Sequence, residues 1–237
     1  LAGVLFISSG LGGMSGAQAK AVEIAGGAGI IAEVDESRIK TRFDQGWVSE
    51  VSNDLNKVTD TALRYKQQNK AVSIAYHGNV VDLLEYVAKH NIRVELLSDQ
   101  TSCHAVYDGG YTPVGVKFDE GRELLRTDPV LFRKKVDISL KRHFECIRKL
   151  TQQGTHFWDY GNSFLASIFD AGEVSVAKNG KDVSEGFIWP SYVEDIMGPV
   201  CFDQGFGPFR WVCPVSYTHL RAHETVLDLV CRLLLEK

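Results

Sequence analysis

The sequence has no run of 18 or more apolar residues, the length that a membrane-spanning helix needs, and we see no signal-peptide pattern. It also has no excess of positive charge, since 26 Lys and Arg stand against 30 Asp and Glu, for a net charge of −4. Proteins that bind nucleic acids or anionic membrane surfaces usually carry basic patches. We therefore expect neither a nucleic-acid partner nor a membrane partner.

Paired cysteine motifs are absent as well. The five cysteines are an odd number and show no CxxC spacing, which favours reduced thiols and a cytoplasmic protein. The sequence has no internal repeat and no low-complexity linker. Its 237 residues, 44% of them hydrophobic, are typical of a globular α/β protein with one large domain or two small ones.

The strongest positive signal is a glycine-rich turn between a predicted strand and a predicted helix. The apolar run 4–9 is typical of a buried parallel strand, and residues 17–25 are rich in helix-forming residues. Between them stands Gly-Leu-Gly-Gly-Met-Ser-Gly-Ala-Gln at positions 10–18. Such a turn lets backbone N–H groups and the positive end of a helix dipole face an anion. We predict a pyrophosphate site here.

A second predicted strand, residues 28–35, places carboxylates where a dinucleotide fold needs them. Glu33 follows Gly13 by twenty residues, the spacing at which an acid meets the adenosine ribose hydroxyls. Ser37 is predicted to cap a helix that continues to Phe43. Arg38 would then lie in the first turn of that helix, where a cation normally faces an anionic group.

Two further strands are predicted to end at the same edge of the sheet. Residues 71–76 precede His77-Gly78-Asn79 and a helix that begins at Val80, and residues 94–98 precede the polar stretch 99–104. Because parallel strands present their carboxyl ends at one edge, these polar loops should meet the glycine turn. Cys103 and His104 could be a nucleophile and its base, but adjacent residues of an extended segment point in opposite directions, which disfavours this pair.

The second half of the sequence is predicted to be more helical. Residues 118–153 indicate two helices separated at Asp128-Pro129, and residues 54–68 and 164–170 indicate further helices. Residues 156–162 are predicted to form an aromatic and polar loop.

The last 23 residues have a different origin in our interpretation. Written back into codons, Val215–Lys237 resembles a translated sequencing adapter, with Pro214 at the junction. The pair His219-x3-His223 has the spacing of a helical zinc site, but within such a tail it has no functional meaning. We expect no metal ligands in this protein.

The motifs together resemble one family, the urocanases (urocanate hydratases). The resemblance rests on the glycine turn, on Glu33 with Ser37-Arg38, and on the stretches 77–79, 98–104, 159–162 and 207–211. It covers residues 1–213. Members of the family are more than twice as long as this chain, so the resemblance implies an internal fragment that is inactive on its own.

The resemblance implies a specific chemistry. Urocanases hold NAD⁺ tightly and use it as an electrophile toward the imidazole ring of urocanate, not as a hydride carrier. Addition of water then gives 4-imidazolone-5-propanoate, the second step of histidine degradation. The resemblance also implies a cytoplasmic homodimer. The family's cysteine near the active site, its arginine for the substrate carboxylate and its late glycine loop fall beyond Cys213, so the catalytic residues are unknown here.

Matching positions to the family's motifs implies a set of NAD contacts. These are Gly13, Met14, Ser15, Glu33, Arg38, Asn79, Val80, Gln100, Thr101, Ser102, Cys103, His104, Tyr111, Thr112 and Tyr160. Ser15 stands where many members have glycine, which implies a φ that serine tolerates or a hydroxyl that bonds a phosphate. The loop before Tyr111 is one residue longer than in many bacterial members.

We therefore expect an α/β fold, with a Rossmann-like parallel sheet and flanking helices, plus part of a second α/β core region. The predicted division is a NAD-binding domain at 1–117, a helical and loop segment at 118–213, and the adapter-like tail at 214–237. Two other functions stay open at this point: an ordinary NAD-dependent dehydrogenase and a non-catalytic NAD-binding module.

Overall fold

The computed structural model describes residues 1–205 of the chain. Within them, six strands form one sheet in which every pair of neighbours is parallel, in the order β3-β4-β2-β1-β5-β6. The strands are β1 Leu5–Ser9, β2 Ala28–Glu33, β3 Glu50–Ser52, β4 Val72–His77, β5 Leu96–Asp99 and β6 His156–Asp159.

Helices flank this sheet on both faces. They are α1 Ala17–Ile24, α2 Glu36–Asp44, α3 Leu55–Gln67, α4 Val80–Lys89, α5 Phe118–Thr127, α6 Pro129–Gln152 and α7 Ser163–Asp170. The chain alternates strand and helix through β5, which is the pattern of a doubly wound α/β fold. The prediction of a Rossmann-like parallel sheet with flanking helices is confirmed.

The core lies on the two faces of the sheet because successive side chains of a strand point in opposite directions. Leu5 and Ile7 face a cluster that also contains buried residues of α3, α4 and α6. Phe6, between them, faces a second cluster built with α1 and α2. The central strands are buried on both faces, which explains why β1 and β2 are nearly continuous apolar runs in the sequence.

The strand order reverses beside β1, and this positions the site. From β1 the chain moves through β2 to β4 on one side, and it then crosses to β5 on the other side of β1. A crevice opens between the loops that follow β1 and β5, because these loops leave the sheet in opposite directions. These loops are the glycine turn and the polar stretch that begins at Gln100.

Some local predictions were wrong. The N-cap of α2 is Asp35, whose carboxylate accepts a hydrogen bond from the N–H of Ser37, so Ser37 is not the cap. Residues 156–159 form β6, which pairs with β5 at the sheet edge, whereas we expected a loop over 156–162. The short edge strand β3 has no counterpart among the predicted elements.

The chain divides into two units, Leu1–Tyr192 and Val193–Lys237. In the second unit the structure describes residues 193–205, where the helical segment Tyr192–Phe202 contains Pro199. The predicted motif 207–211 and the adapter-like tail at 214–237 lie outside the described residues. Within residues 1–205, the helices are too short or too polar to cross a membrane.

Candidate functional site

A cleft lies at the carboxyl ends of β1, β2, β4 and β5, where the sequence predicted a ligand site. The predicted site residues that line it are Ser15, Glu33, Arg38, Asn79, Val80, Gln100, Thr101, Ser102, Tyr111 and Thr112. They come from separate loops that converge only because their strands are parallel and adjacent.

The glycine turn forms one wall of the cleft. Gly10 has a φ of +87°, and a Cβ there would lie 2.8 Å from the carbonyl oxygen of Gln100, so only glycine fits. The Ser15 hydroxyl accepts a hydrogen bond from the N–H of Gly12 at 2.8 Å. The φ of Ser15 is not left-handed, so serine adopts this backbone conformation without strain.

Three backbone N–H groups of this turn are free. Those of Gly13, Met14 and Ser15 donate to no acceptor within residues 1–205, and they directly precede α1, whose N-cap is Gly16. Free amides at the positive end of a helix dipole favour an anion such as a phosphate. The turn is therefore built to receive one.

Glu33, at the end of β2, holds the glycine turn in place. Its buried carboxylate accepts hydrogen bonds from the N–H of Leu11 at 2.8 Å, of Val34 at 2.9 Å and of Asp35 at 3.0 Å. A carboxylate offers about four acceptor positions. The protein uses three of them.

Arg38, in the first turn of α2, faces two carboxylates as well as the cleft. Its Nη1 lies 3.8 Å from Glu33 Oε2, and its Nε lies 3.4 Å from Asp35 Oδ2. Because its side chain is 45% exposed, these pairs add little stability and leave the guanidinium accessible.

Asn79 joins the loop after β4 to the segment at Thr112. Its side-chain oxygen accepts from the N–H of Val81, which caps α4 as predicted, and its amide donates to the Thr112 carbonyl at 2.9 Å. Both polar ends of Asn79 are therefore used by the protein. The residue therefore links two segments that line the cleft.

Asp99, at the end of β5, lies in the polar stretch 99–104 that the sequence predicted to meet the glycine turn, although it was not among the implied NAD contacts. Its buried carboxylate accepts from the Ser9 hydroxyl at 2.6 Å, from the Thr101 N–H at 3.1 Å and from the Thr101 hydroxyl at 2.5 Å. These bonds connect the end of β1 to the loop of Gln100 and Ser102. Polar residues at the ends of neighbouring strands, Ser9 and Asp99, were the available signal.

Two neutral aromatic groups lie beneath this loop. His143 of α6 is fully buried, with Nε2 at 4.0 Å from Asp99 Oδ1 and Nδ1 at 3.3 Å from the Tyr111 hydroxyl. Burial lowers the pKa of His143 to about 4, against the partial opposition of Asp99. Burial also raises the pKa of Tyr111 well above its usual value. At neutral pH both groups are uncharged.

The remaining predicted contacts lie around the cleft. Cys103 is buried, and burial, followed by the Asp99 charge, raises the pKa of its thiol well above the usual value, so it is a poor nucleophile. His104 is exposed, so the two side chains do not form a pair. Tyr160 stacks on Tyr192, with ring centroids 5.8 Å apart, outside the cleft wall.

Gly13 and Met14 lie beside the cleft. Gly13 lines an adjoining depression together with Arg38 and Arg42, while the side chain of Met14 is 69% exposed. The cleft and this depression share Arg38 and Ser102, so they form a continuous surface along the glycine turn.

Comparison with known proteins decides the family. The family model described as "Urocanase Rossmann-like domain" matches residues 1–196. The chain belongs to the urocanase family. It is 47% identical over 218 residues to a urocanate hydratase of Mus musculus, and 49% identical over 214 residues to a probable urocanate hydratase of Dictyostelium discoideum.

Each of these alignments covers 90% of this chain but only 32% of the mouse protein and 31% of the Dictyostelium protein. The chain therefore spans about a third of the length of the curated relatives it matches. The family model covers all the implied NAD contacts but not the motif at 207–211. Within the described part of this urocanase domain, no group of three or more His, Cys, Asp or Glu residues could hold a metal ion.

Arg42 is a residue of the urocanase domain whose contact with the glycine turn the sequence did not reveal. It lies on α2, one turn after Arg38, and its guanidinium contacts the carbonyl groups of Leu11 and Gly12. These partners are about thirty residues away in sequence, so no local pattern could identify them.

Proposed function

We propose that the protein containing this chain is a urocanate hydratase, which adds water to urocanate to give 4-imidazolone-5-propanoate in histidine degradation. The observation that carries the proposal is the family match over residues 1–196. The relatives named urocanate hydratase, at 45–49% identity, support it.

NAD⁺ is the proposed cofactor, and the cleft fits it. The free N–H groups of Gly13, Met14 and Ser15 suit a pyrophosphate, and the open acceptor position of Glu33 suits a ribose hydroxyl. Arg38 adds an accessible positive charge beside both. We propose as further contacts the remaining residues that the resemblance implies: Asn79, Val80, Gln100, Thr101, Ser102, Cys103, His104, Tyr111, Thr112 and Tyr160.

When bound, the nicotinamide ring of NAD⁺ supplies an electron-poor ring that acts as an electrophile. The residues of this chain have the task of binding and orientation. Asp99 and Asn79 fix the loops that form the cleft walls, and Glu33 fixes the glycine turn. Such prearranged groups lose little freedom when the ligand binds, which favours a tightly held cofactor.

We also propose a cytoplasmic location and a homodimer for the complete protein. The three cysteines within residues 1–205 are free thiols, which suits a reducing compartment. The homodimer rests on the family resemblance alone and stays a prediction.

The test of the proposed function is turnover by the complete protein. We expect urocanate to be consumed, with loss of its near-ultraviolet absorbance, and no accumulation of reduced nicotinamide. Reduced cofactor accumulating with substrate would instead identify a dehydrogenase, and cofactor binding without turnover would identify a non-catalytic module. The 237-residue chain alone should be inactive, because the family's substrate-binding motifs are not assigned within it.

Replacement of Gly13 by alanine tests the location of the pyrophosphate. A Cβ at Gly13 has no atom within 4 Å and the residue has no left-handed φ, so the free energy of unfolding should change by at most about 0.5 kcal/mol. The added methyl group occupies the space beside the free amides, so we expect NAD⁺ to bind about tenfold more weakly or worse, a loss of about 1.4 kcal/mol.

The control for stability is Gly161→Ala, another position with open space at its Cβ. The control for affinity is Lys40→Gln, at an exposed residue outside the cleft, which should leave NAD⁺ binding unchanged. Calorimetric titration of cofactor-free protein measures the affinities. If Gly13→Ala binds NAD⁺ as tightly as the wild type, the pyrophosphate lies elsewhere.

A further inference from the structure

Arg42 makes a set of contacts that reaches across the protein to the glycine turn. Its Nε donates to the Leu11 carbonyl at 3.1 Å, and its Nη2 donates to the Gly12 carbonyl at 2.5 Å. Its Nη1 donates to the side-chain oxygen of Gln45 at 2.7 Å, and its guanidinium lies 4.8 Å from the centroid of the Trp47 ring. All three nitrogens of the guanidinium group therefore donate hydrogen bonds within the protein.

These contacts decide where the amides of the turn point. All peptide bonds among residues 1–205 are trans, so the carbonyl of one residue and the N–H of the next point in opposite directions. Because Arg42, together with the N–H of Gly16 at 3.0 Å, holds the Gly12 carbonyl, the N–H of Gly13 is directed away from Arg42. In the same way, the held Leu11 carbonyl directs the N–H of Gly12 toward the Ser15 hydroxyl.

The close approach of Arg42 depends on Gly16. A Cβ on Gly16 would collide with the Arg42 guanidinium, and it would lie 2.8 Å from the Gly12 carbonyl oxygen. The guanidinium therefore packs directly against the turn. A lysine ammonium is a point charge without the planar fork, so it could not hold both carbonyls in this geometry.

The electrostatic surroundings of Arg42 differ from those of Arg38. Arg38 pairs with Glu33 and Asp35, whereas no carboxylate of the described residues lies within salt-bridge distance of Arg42. Burial lowers the pKa of Arg42, but an arginine keeps its charge at neutral pH. Its positive charge stands uncompensated at the depression that Gly12 and Gly13 line.

We propose that Arg42 is a positioning residue for diphosphate binding: it holds the Leu11 and Gly12 carbonyls so that the amide of Gly13, the first of the three free amides, stays directed at the ligand. This inference rests on the proposed dinucleotide site. The proposed role of Arg42 is to orient the glycine turn, and Arg42 takes no part in catalysis.

The test compares ADP with adenosine in calorimetric titrations of the complete, cofactor-free protein. Arg42→Lys keeps the charge but loses the two-carbonyl hold, so ADP should bind at least tenfold more weakly while adenosine affinity stays within about twofold of wild type. Lys40→Gln, which removes an exposed cation from the same helix, is the matched control and should leave both affinities unchanged.

A second variant, Gln45→Ala, removes one partner of Arg42 without touching the arginine. We expect it to weaken ADP binding twofold to fivefold and to leave the affinity for adenosine unchanged. This variant tests the inference even if Arg42→Lys does not fold. Unchanged ADP affinity in Gln45→Ala would then contradict the inference.

The other outcomes separate the possible failures. Wild-type ADP affinity in Arg42→Lys would mean that Arg42 acts only through its charge, and equal losses for ADP and adenosine would mean that it only stabilises the fold; either overturns the inference. If the wild type binds no ADP, the dinucleotide site fails together with the inference. If the wild type binds ADP and both variants match it, the inference alone fails.

Discussion

Replacing Gly110 with alanine should destabilise the protein by about 3 kcal/mol and weaken NAD⁺ binding, because overpacking against rigid atoms costs this much. A Cβ at Gly110 would lie 2.7 Å from the Ala105 carbonyl oxygen and closer still to that of Ser102. These are backbone atoms, so they cannot rotate away. The loop that carries Gln100, Thr101 and Ser102 would have to move, and it forms one wall of the cleft.

Urea unfolding of the complete protein measures this loss, and the titration with NAD⁺ measures the effect on the cleft. Gly161→Ala is the control, since it adds the same methyl group in open space and should change the free energy of unfolding by at most about 0.5 kcal/mol. Wild-type stability in Gly110→Ala would show that the loop adapts without cost.

Asp159→Asn should raise the free energy of unfolding, relative to that of the wild type, by up to about 3 kcal/mol as the pH rises from 4 to 7. Asp159 lies opposite Asp99 on neighbouring strands, and its Oδ2 accepts the N–H groups of Phe164 and Leu165 at the start of α7. Burial, together with the charge of Asp99, raises the pKa of Asp159 to about 6 from its usual 3.8. The folded protein therefore retains a proton that the unfolded chain releases near pH 4.

The direction follows from this raised pKa. Between about pH 4 and pH 6 the unfolded state ionises first, so wild-type stability falls as the pH rises through this window, and above it the effect is constant. Asparagine does not titrate, so the variant should gain up to about 3 kcal/mol relative to wild type between pH 4 and pH 7, at about 1.4 kcal/mol per pKa unit.

His143, whose pKa is lowered to about 4, shifts stability in the opposite direction, but it is present in both proteins and cancels in the difference. Urea unfolding from pH 4 to pH 8 measures the difference. As a control, Asp182→Asn should show no gain over this range, because hydrogen bonds from Ser184 and Asn179 lower the pKa of Asp182, so that its linkage to stability lies toward the acid end of the scan and below it. A pH-independent difference for Asp159→Asn would contradict the prediction.

Local sequence patterns predicted the elements that form the site. The glycine turn after an apolar run, the helix after it and the acid twenty residues on are signals that neighbouring residues carry by themselves. The cap at Asn79 and the break at Asp128-Pro129 were also predicted, because capping and proline chemistry act within one helical turn. Strand β6 was missed because its pairing with β5, which makes it a strand, joins residues about sixty positions apart.

By itself, then, the sequence determined the α/β class, the glycine turn and the family, since each depends on residue types at short, fixed spacings. Only the tertiary structure decided which groups hold that turn. Glu33 was expected to reach the ribose of a bound dinucleotide, and the structure shows that its carboxylate binds the turn through Leu11. Arg42 and Asp99 act on segments about thirty and ninety residues away, and such partners are chosen by the order of strands in the sheet. Local periodicity carries no information about that order, because any strand can pair with any other until packing selects its neighbours.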